Sequence, residues 1–171
     1  MRELSQGERA GRGAIATGAL LLLACLLAQA ALAAEVSRDE YVKAAEPICK
    51  ANTEANTRIF KGAKEQVKQG KLKAASAHFL KAKQALTKTV SQLSALPQPT
   101  ADEAKLTKWI SYLGTERDLL GKIGTALKHE DKPGAQELSV RLNRNSNLAN
   151  NTVLAFGFKW CRIDPGRFSA K

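Results

Sequence analysis

Length and charge set the first limits on this chain. Its 171 residues have room for one domain. Of its 27 Lys and Arg residues, 24 lie beyond Ala33 together with 14 of its 16 acidic residues, so the part after Ala33 has a net charge of about +10. A charge of this size favours anionic partners and says nothing about the fold.

The N-terminal segment has the three parts of a secretory signal peptide. Three arginines precede the uncharged run Gly13–Ala34, and the small residues Ala31-Leu32-Ala33 form a cleavage site at its end. We predict that residues 1–34 are a signal peptide whose removal leaves about 137 residues, enough to bury a core. Two alternatives stay open. The run is retained as a membrane anchor, since about 20 apolar residues span a bilayer, or Cys25 becomes a lipid-modified first residue.

A first helix is predicted from Ser37 onward. Ser37-Arg38-Asp39-Glu40 has the pattern of a capping box, which satisfies the backbone amides at a helix start. Pro47 either delays the start of this helix or kinks it, and Gly70 is suited to end it. Small and apolar residues recur every three or four positions along one face. They are Tyr41, Ala45, Ile48, Asn52, Ala55, Ile59, Ala63 and Val67.

Three more amphipathic helices follow in the sequence. The second spans Leu72–Leu93 and ends before the linker Pro97-Gln98-Pro99. Thr100-Ala101-Asp102-Glu103 repeats the capping-box pattern and begins the third. Asp131-Lys132-Pro133 caps the fourth, which extends to Gly157.

Four helices with short connections predict an all-α protein, an antiparallel four-helix bundle over residues 35–163 with a flexible tail at 164–171. Once the signal peptide is set aside, Cys49 and Cys161 are the remaining cysteines, and such a pair in an oxidising compartment usually forms a bridge. First and last helices are neighbours in this topology, so we predict a disulfide that links the first helix to the C-terminal segment. A redox-active or metal-binding pair would have C-x-x-C spacing or nearby histidines, which are lacking.

Two short motifs carry a resemblance to a known group of proteins. They are Ile48-Cys49-Lys50-Ala51-Asn52 near the mature start and Ala155-Phe156-Gly157-Phe158-Lys159-Trp160-Cys161 near the end. Together they resemble uncharacterised exported actinobacterial helical proteins, which open with an Ile-Cys pair followed by Ala and Asn and close with a Gly-aromatic segment before a second Cys. The resemblance implies an exported location and a helical architecture. It implies no activity and no site residues.

The sequence contains no pattern that indicates a catalytic, metal or cofactor site. A metal needs three or four convergent ligands, and we interpret His78 and His129 as solvated surface residues because neither has a partner at ligand spacing. Acidic residues such as Asp102 and Glu116 look like ordinary cap and surface residues. There is no C-x-x-C-H haem motif, and no Ser or Cys has an evident base. We therefore predict a protein that is not an enzyme and has no metal or cofactor.

Asparagines are concentrated in the fourth helix, although asparagine is a mediocre helix former. Buried hydrogen bonds between helices, a polar ligand groove or a merely tolerated polar surface would each account for them. In the first case Asn52, on the inward face of the first helix, would pair with Asn150 or Asn151. The full set is Asn143, Asn145, Asn147, Asn150 and Asn151.

Basic residues are concentrated between Arg58 and Lys88, where nine Lys or Arg accompany a single acid, Glu65. Either this is simply a solvated face, or it attracts an anionic surface such as lipid headgroups, at about 1 kcal/mol per basic residue, or an acidic envelope polymer. Nucleic acid is not expected, because the protein is exported and few aromatics accompany the lysines. Steps of three and four residues place the predicted anionic-surface site on one helical face. It comprises Arg58, Lys61, Lys64, Lys68 and Lys71.

The sequence therefore predicts an exported, periplasmic or extracellular helical-bundle protein that acts at the cell envelope by binding and not by catalysis. It identifies no protein partner. The alternative is a soluble extracytoplasmic binder of a small ligand held between helices, near Trp109, Phe156 and the asparagines. Salt dependence separates the two, because screening weakens surface electrostatics.

Overall fold

A computed structural model describes residues 35–163, and these form an all-α domain without a β-strand. The predicted signal peptide and the predicted flexible tail lie outside the described residues. Within the described part, no helix combines the length and apolarity needed to cross a membrane. The helices are α1 (Arg38–Ile59), α2 (Ala63–Lys68), α3 (Leu72–Ser94), α4 (Glu103–Lys128) and α5 (Lys132–Thr152), with 3₁₀ turns at Thr100–Asp102 and Leu154–Phe156.

Helix α1 begins where the capping box predicts. The Ser37 side chain accepts a hydrogen bond from the Glu40 amide, and the Glu40 carboxylate accepts one from the Ser37 amide at 2.9 Å. Pro47 lies inside α1, so it does not delay the start of the helix. The predicted cap of the last helix is also confirmed, since the Asp131 carboxylate accepts a hydrogen bond from the Gly134 amide at 2.9 Å.

The first predicted helix proves to be two, because the chain breaks between Ile59 and Ala63. Gly62 has a left-handed φ of 82°, a conformation that a residue with a Cβ rarely adopts. Phe60 turns inward at the break and packs edge-to-face on Phe79 of α3, with 5.1 Å between ring centroids. The break therefore interrupts the helix and places the Phe60 ring against the core.

His78 of α3 contacts the helices on both sides of this break. Its Nδ1 contacts the carbonyl oxygen of Ile59 at the end of α1, and its Nε2 lies 3.1 Å from Oε1 of Gln66 on α2. The residue is half-buried. The interpretation of His78 as a solvated surface residue is therefore wrong, and its ring is part of the internal scaffold of the bend. His129 is exposed at the end of α4.

The capping box predicted at Thr100 does not form, and the neighbouring Asp102 pairs with another helix. Residues Thr100–Asp102 make a 3₁₀ turn without a side-chain cap. Asp102 is only 3% exposed, and both its oxygens accept hydrogen bonds of 2.7 Å from Arg38 at the start of α1. These bonds hold the pKa of Asp102 below its ordinary value. Asp102 is thus a buried ion-pair residue that joins α1 to α4.

The antiparallel bundle and the Cys49–Cys161 disulfide are confirmed. The two Cα atoms lie 4.9 Å apart, and the bond spans 112 residues of sequence. Around it, the Glu46 carboxylate of α1 accepts hydrogen bonds from the backbone amides of Lys159 and Trp160, at 2.5 Å and 3.0 Å. The C-terminal segment is therefore fixed to α1 by a covalent bond and by a carboxylate.

Asn150 holds the same segment from the side of α5. Its side chain donates to the carbonyl of Ile163 at 2.7 Å and accepts from the Ile163 amide at 2.8 Å. The predicted pairing of Asn52 with Asn150 or Asn151 does not occur, because Asn150 bonds to the Ile163 backbone and the Oδ1 of Asn52 has no hydrogen-bond partner in the described chain. Asn145 does make a bond between helices, donating to the Tyr112 carbonyl at 2.9 Å.

Candidate functional site

The five basic residues of the predicted site are exposed, but they do not share one helical face. Arg58 lies in the last turn of α1, Lys61 in the break, Lys64 and Lys68 on α2, and Lys71 directly before α3. Within residues 35–163 none of the five forms an ion pair. They are called the basic surface below. The bend spreads this surface around one end of the bundle.

The nearest acid in the sequence offsets at most one of the five positive charges and forms no ion pair with them in the described chain. Glu65 on α2 accepts a hydrogen bond from the Gln69 side chain at 3.0 Å. Its partner within the described chain is thus an uncharged amide and not a lysine. The positive charge of this end stays available to an outside anion.

An apolar cavity opens beside the basic surface, between α2 and the first half of α5. Its volume is about 310 Å³, within the range of roughly 300–1,000 Å³ typical of small-molecule sites. Helices α3 and α4 form its floor. It is called the α2–α5 cavity below, and its main apolar residues are Phe60, Ala63, Val67, Phe79, Ile123, Leu127, Ala135 and Val140.

The polar residues around the α2–α5 cavity are basic or uncharged. Lys64 of α2 and Lys132 of α5 line it from opposite sides, and none of its described lining residues is acidic. Asn143 also lines it, and its Oδ1 is buried without a hydrogen-bond partner. The cavity therefore combines apolar walls with two cations at its edge.

The region predicted for a small ligand, around Trp109 and Phe156, is largely filled by the core. Trp109 is fully buried and stacks on Phe158, with 5.4 Å between ring centroids, and Phe158 stacks on Phe156 at the same distance. These stacked rings occupy the predicted site, and the α2–α5 cavity lies at the other end of the bundle.

A small polar cavity of about 40 Å³ lies beneath the disulfide. Asn52, Asn56, Trp109 and Glu116 line it, and the first three each have a buried polar atom without a hydrogen-bond partner. One ordered water needs roughly 10–15 Å³, so the volume suits water molecules and not an organic ligand. Glu116 is 4% exposed, so its interpretation as a surface residue is wrong.

The apolar cavity could not be found from sequence motifs. Its walls come from four helices and one bend, and each residue taken singly looks like an ordinary core position. Only Lys64 belongs both to the predicted site and to the cavity. Among residues 35–163, no group of three or more His, Cys, Asp or Glu side chains could hold a metal ion.

Fold and site together define a disulfide-closed helical bundle with an apolar cavity beside a basic surface. Comparison with protein-family models, with curated proteins and with solved structures finds no match to this chain. The resemblance to exported actinobacterial proteins therefore stays a prediction.

Proposed function

We propose that this protein is an exported, non-enzymatic binding protein that attaches to the anionic lipid surface of the cell envelope through its basic surface. The observation that carries the proposal is the group of five exposed cations without an ion pair in the described chain. A surface built for solubility alone usually intersperses both signs of charge. The disulfide supports the location, because such bonds persist in oxidising, extracytoplasmic compartments.

A lipid surface is favoured over an acidic polymer because of what adjoins the lysines. The α2–α5 cavity brings apolar side chains to the same end of the bundle, and Val140 on its wall is 69% exposed. Cations near exposed apolar residues are typical of proteins that lie against headgroups. A polymer of acidic sugars or phosphates would use the charge but not the apolar surface.

Vesicle binding tests this proposal. The oxidised protein should sediment with vesicles that contain phosphatidylglycerol and not with neutral phosphatidylcholine vesicles, and binding should weaken steeply as salt rises. Replacing Lys61, Lys64, Lys68 and Lys71 by Gln should weaken binding by several hundredfold, because each contributes about 1 kcal/mol near the membrane.

A matched variant separates the site from net charge. Changing Lys43, Lys88, Lys105 and Lys108 to Gln removes the same charge from exposed positions outside the basic surface. This variant should bind vesicles much more tightly than the first. Equal losses in the two variants would show a non-specific charge effect, and preferential binding to an acidic polymer over vesicles would exclude the lipid surface. Either result would end the proposal.

A further inference from the structure

The α2–α5 cavity is an unusual feature for a domain of this size. It is a cleft of about 310 Å³ that opens to solvent and borders α2, α3, α4 and α5. Leaving apolar walls open forgoes the contacts that buried side chains normally make. Such a space is best explained by an occupant.

The walls define the chemistry of the greater part of this occupant. Phe60 and Val67 line the cavity from the side of α2, and Phe79, Ile123 and Leu127 line its floor. A hydrocarbon chain gains about 0.8 kcal/mol for each methylene that it buries. The volume lies at the lower end of the ligand-site range of roughly 300–1,000 Å³, which favours a single chain over a two-chain lipid.

Charge defines the other end of the occupant. Lys64 and Lys132 line the cavity from opposing helices, both are exposed, and neither has an ion pair within the described residues. With no acidic residue among the described lining residues, the electrostatic complement is an anion. An anionic head could be held by the two lysines while its tail is removed from water.

We propose that the α2–α5 cavity binds one fatty acid, with the acyl chain against Phe60, Val67 and Leu127 and the carboxylate between Lys64 and Lys132. This inference goes beyond attachment to a membrane surface. It is based on the residues that line the cavity, and it does not depend on the exposed lysines outside the cavity. The protein would thereby hold a single-chain anionic amphiphile at the envelope.

Dodecanoate is the probe, titrated below its micelle concentration and followed by calorimetry. The oxidised protein should bind one molecule per chain. Acetate, which has the head without the tail, should not bind, and dodecyltrimethylammonium, which has the tail with the opposite charge, should bind at least about tenfold more weakly, a difference of roughly 1.4 kcal/mol.

Two variants test the residues. Val140→Glu places a carboxylate on the wall at an exposed position, and Lys64→Gln with Lys132→Gln removes the cations; each should weaken dodecanoate binding by about tenfold or more. Leu154→Glu is the matched control, since Leu154 is 59% exposed and lies outside the cavity. It should bind dodecanoate as the parent does. Circular dichroism of all three confirms that they are folded.

The outcomes separate this inference from the proposed function. Lys61→Gln with Lys71→Gln should weaken vesicle binding and leave dodecanoate affinity within about twofold, because neither residue lines the cavity. Vesicle binding without one-to-one dodecanoate binding would overturn the fatty-acid site alone. Dodecanoate binding that Val140→Glu leaves intact, or that dodecyltrimethylammonium equals, would overturn it as well. A lysophospholipid that binds at least tenfold more tightly would overturn the choice of carboxylate.

Discussion

At the scale of single residues, this bundle buries several polar atoms without giving them partners. The hydroxyl of Tyr41 on α1 is one of them, in a residue only 1% exposed that contacts Phe156 edge-to-face. Burial raises the pKa of Tyr41 to about 12, because the phenolate would be desolvated. A polar group that is buried without a hydrogen bond lowers the free energy of unfolding.

Tyr41→Phe should therefore stabilise the protein, by about 1 kcal/mol at pH 8. The gain should grow between pH 10 and 12. In that range the unfolded chain releases the tyrosine proton while the folded chain keeps it, so stability falls as the pH rises, and Phe removes this loss. Urea unfolding at pH 8 and pH 11 measures both effects. Tyr112→Phe is the control and should retain the alkaline loss; an unchanged pH dependence in Tyr41→Phe would contradict the argument.

At the scale of elements, the sequence predicts what local chemistry decides. Ser37 and Asp131 cap their helices as expected, because each cap bonds to a backbone amide three residues away. The break at Gly62 escapes prediction, since Ala63 and Val67 continue the three- and four-residue steps as though one helix ran on. At the break Phe60 packs on Phe79 of α3. The spacing of apolar residues along one helix gives no information about such a contact.

Contacts between distant residues account for the other missed features. Asp102, interpreted from the sequence as an ordinary cap residue, is buried against Arg38, which lies 64 positions earlier and donates two charged hydrogen bonds. The α2–α5 cavity escaped the sequence for a similar reason, since it exists only once four helices are assembled. The sequence shows where basic residues are concentrated, but it does not show that the assembled helices leave a cavity beside them.

Close packing of α3 on α4 depends on a glycine that periodicity also does not explain. A Cβ at Gly124 would lie 2.8 Å from Cδ2 of Leu80, and Ser76 donates a hydrogen bond of 2.7 Å to the Gly124 carbonyl. Gly124→Ala should cost about 1 kcal/mol, because overpacking exceeds the gain in helix propensity.

Gly114→Ala on the same helix is the matched control. No atom lies within 4 Å of its Cβ position, so the substitution should stabilise the protein by about 0.5–1 kcal/mol through helix propensity alone. Thermal unfolding of the two variants compares them directly. Equal shifts would show that the approach of α3 and α4 does not depend on Gly124.

At the scale of the whole molecule, the two ends of the bundle are closed by different means. The Cys49–Cys161 bond and the carboxylate of Glu46 join α1 to the C-terminal segment at one end. At the other end, the α2–α5 cavity lies between α2 and the first half of α5. The disulfide adds to the total free energy of unfolding. The fold therefore tolerates a cavity at the other end, where packing contributes less to that total.

Removing the covalent closure should therefore be costly for the fold. The bond spans 112 residues, and the chain-entropy relation gives about 4–5 kcal/mol at most for a loop of this length, a large part of the roughly 5–15 kcal/mol that stabilises an ordinary domain. Cys49→Ser with Cys161→Ser should lower the urea midpoint accordingly. If the double variant unfolds at the parent midpoint, noncovalent contacts such as those of Glu46 and Asn150 hold the C-terminal segment, and the open end does not depend on the disulfide.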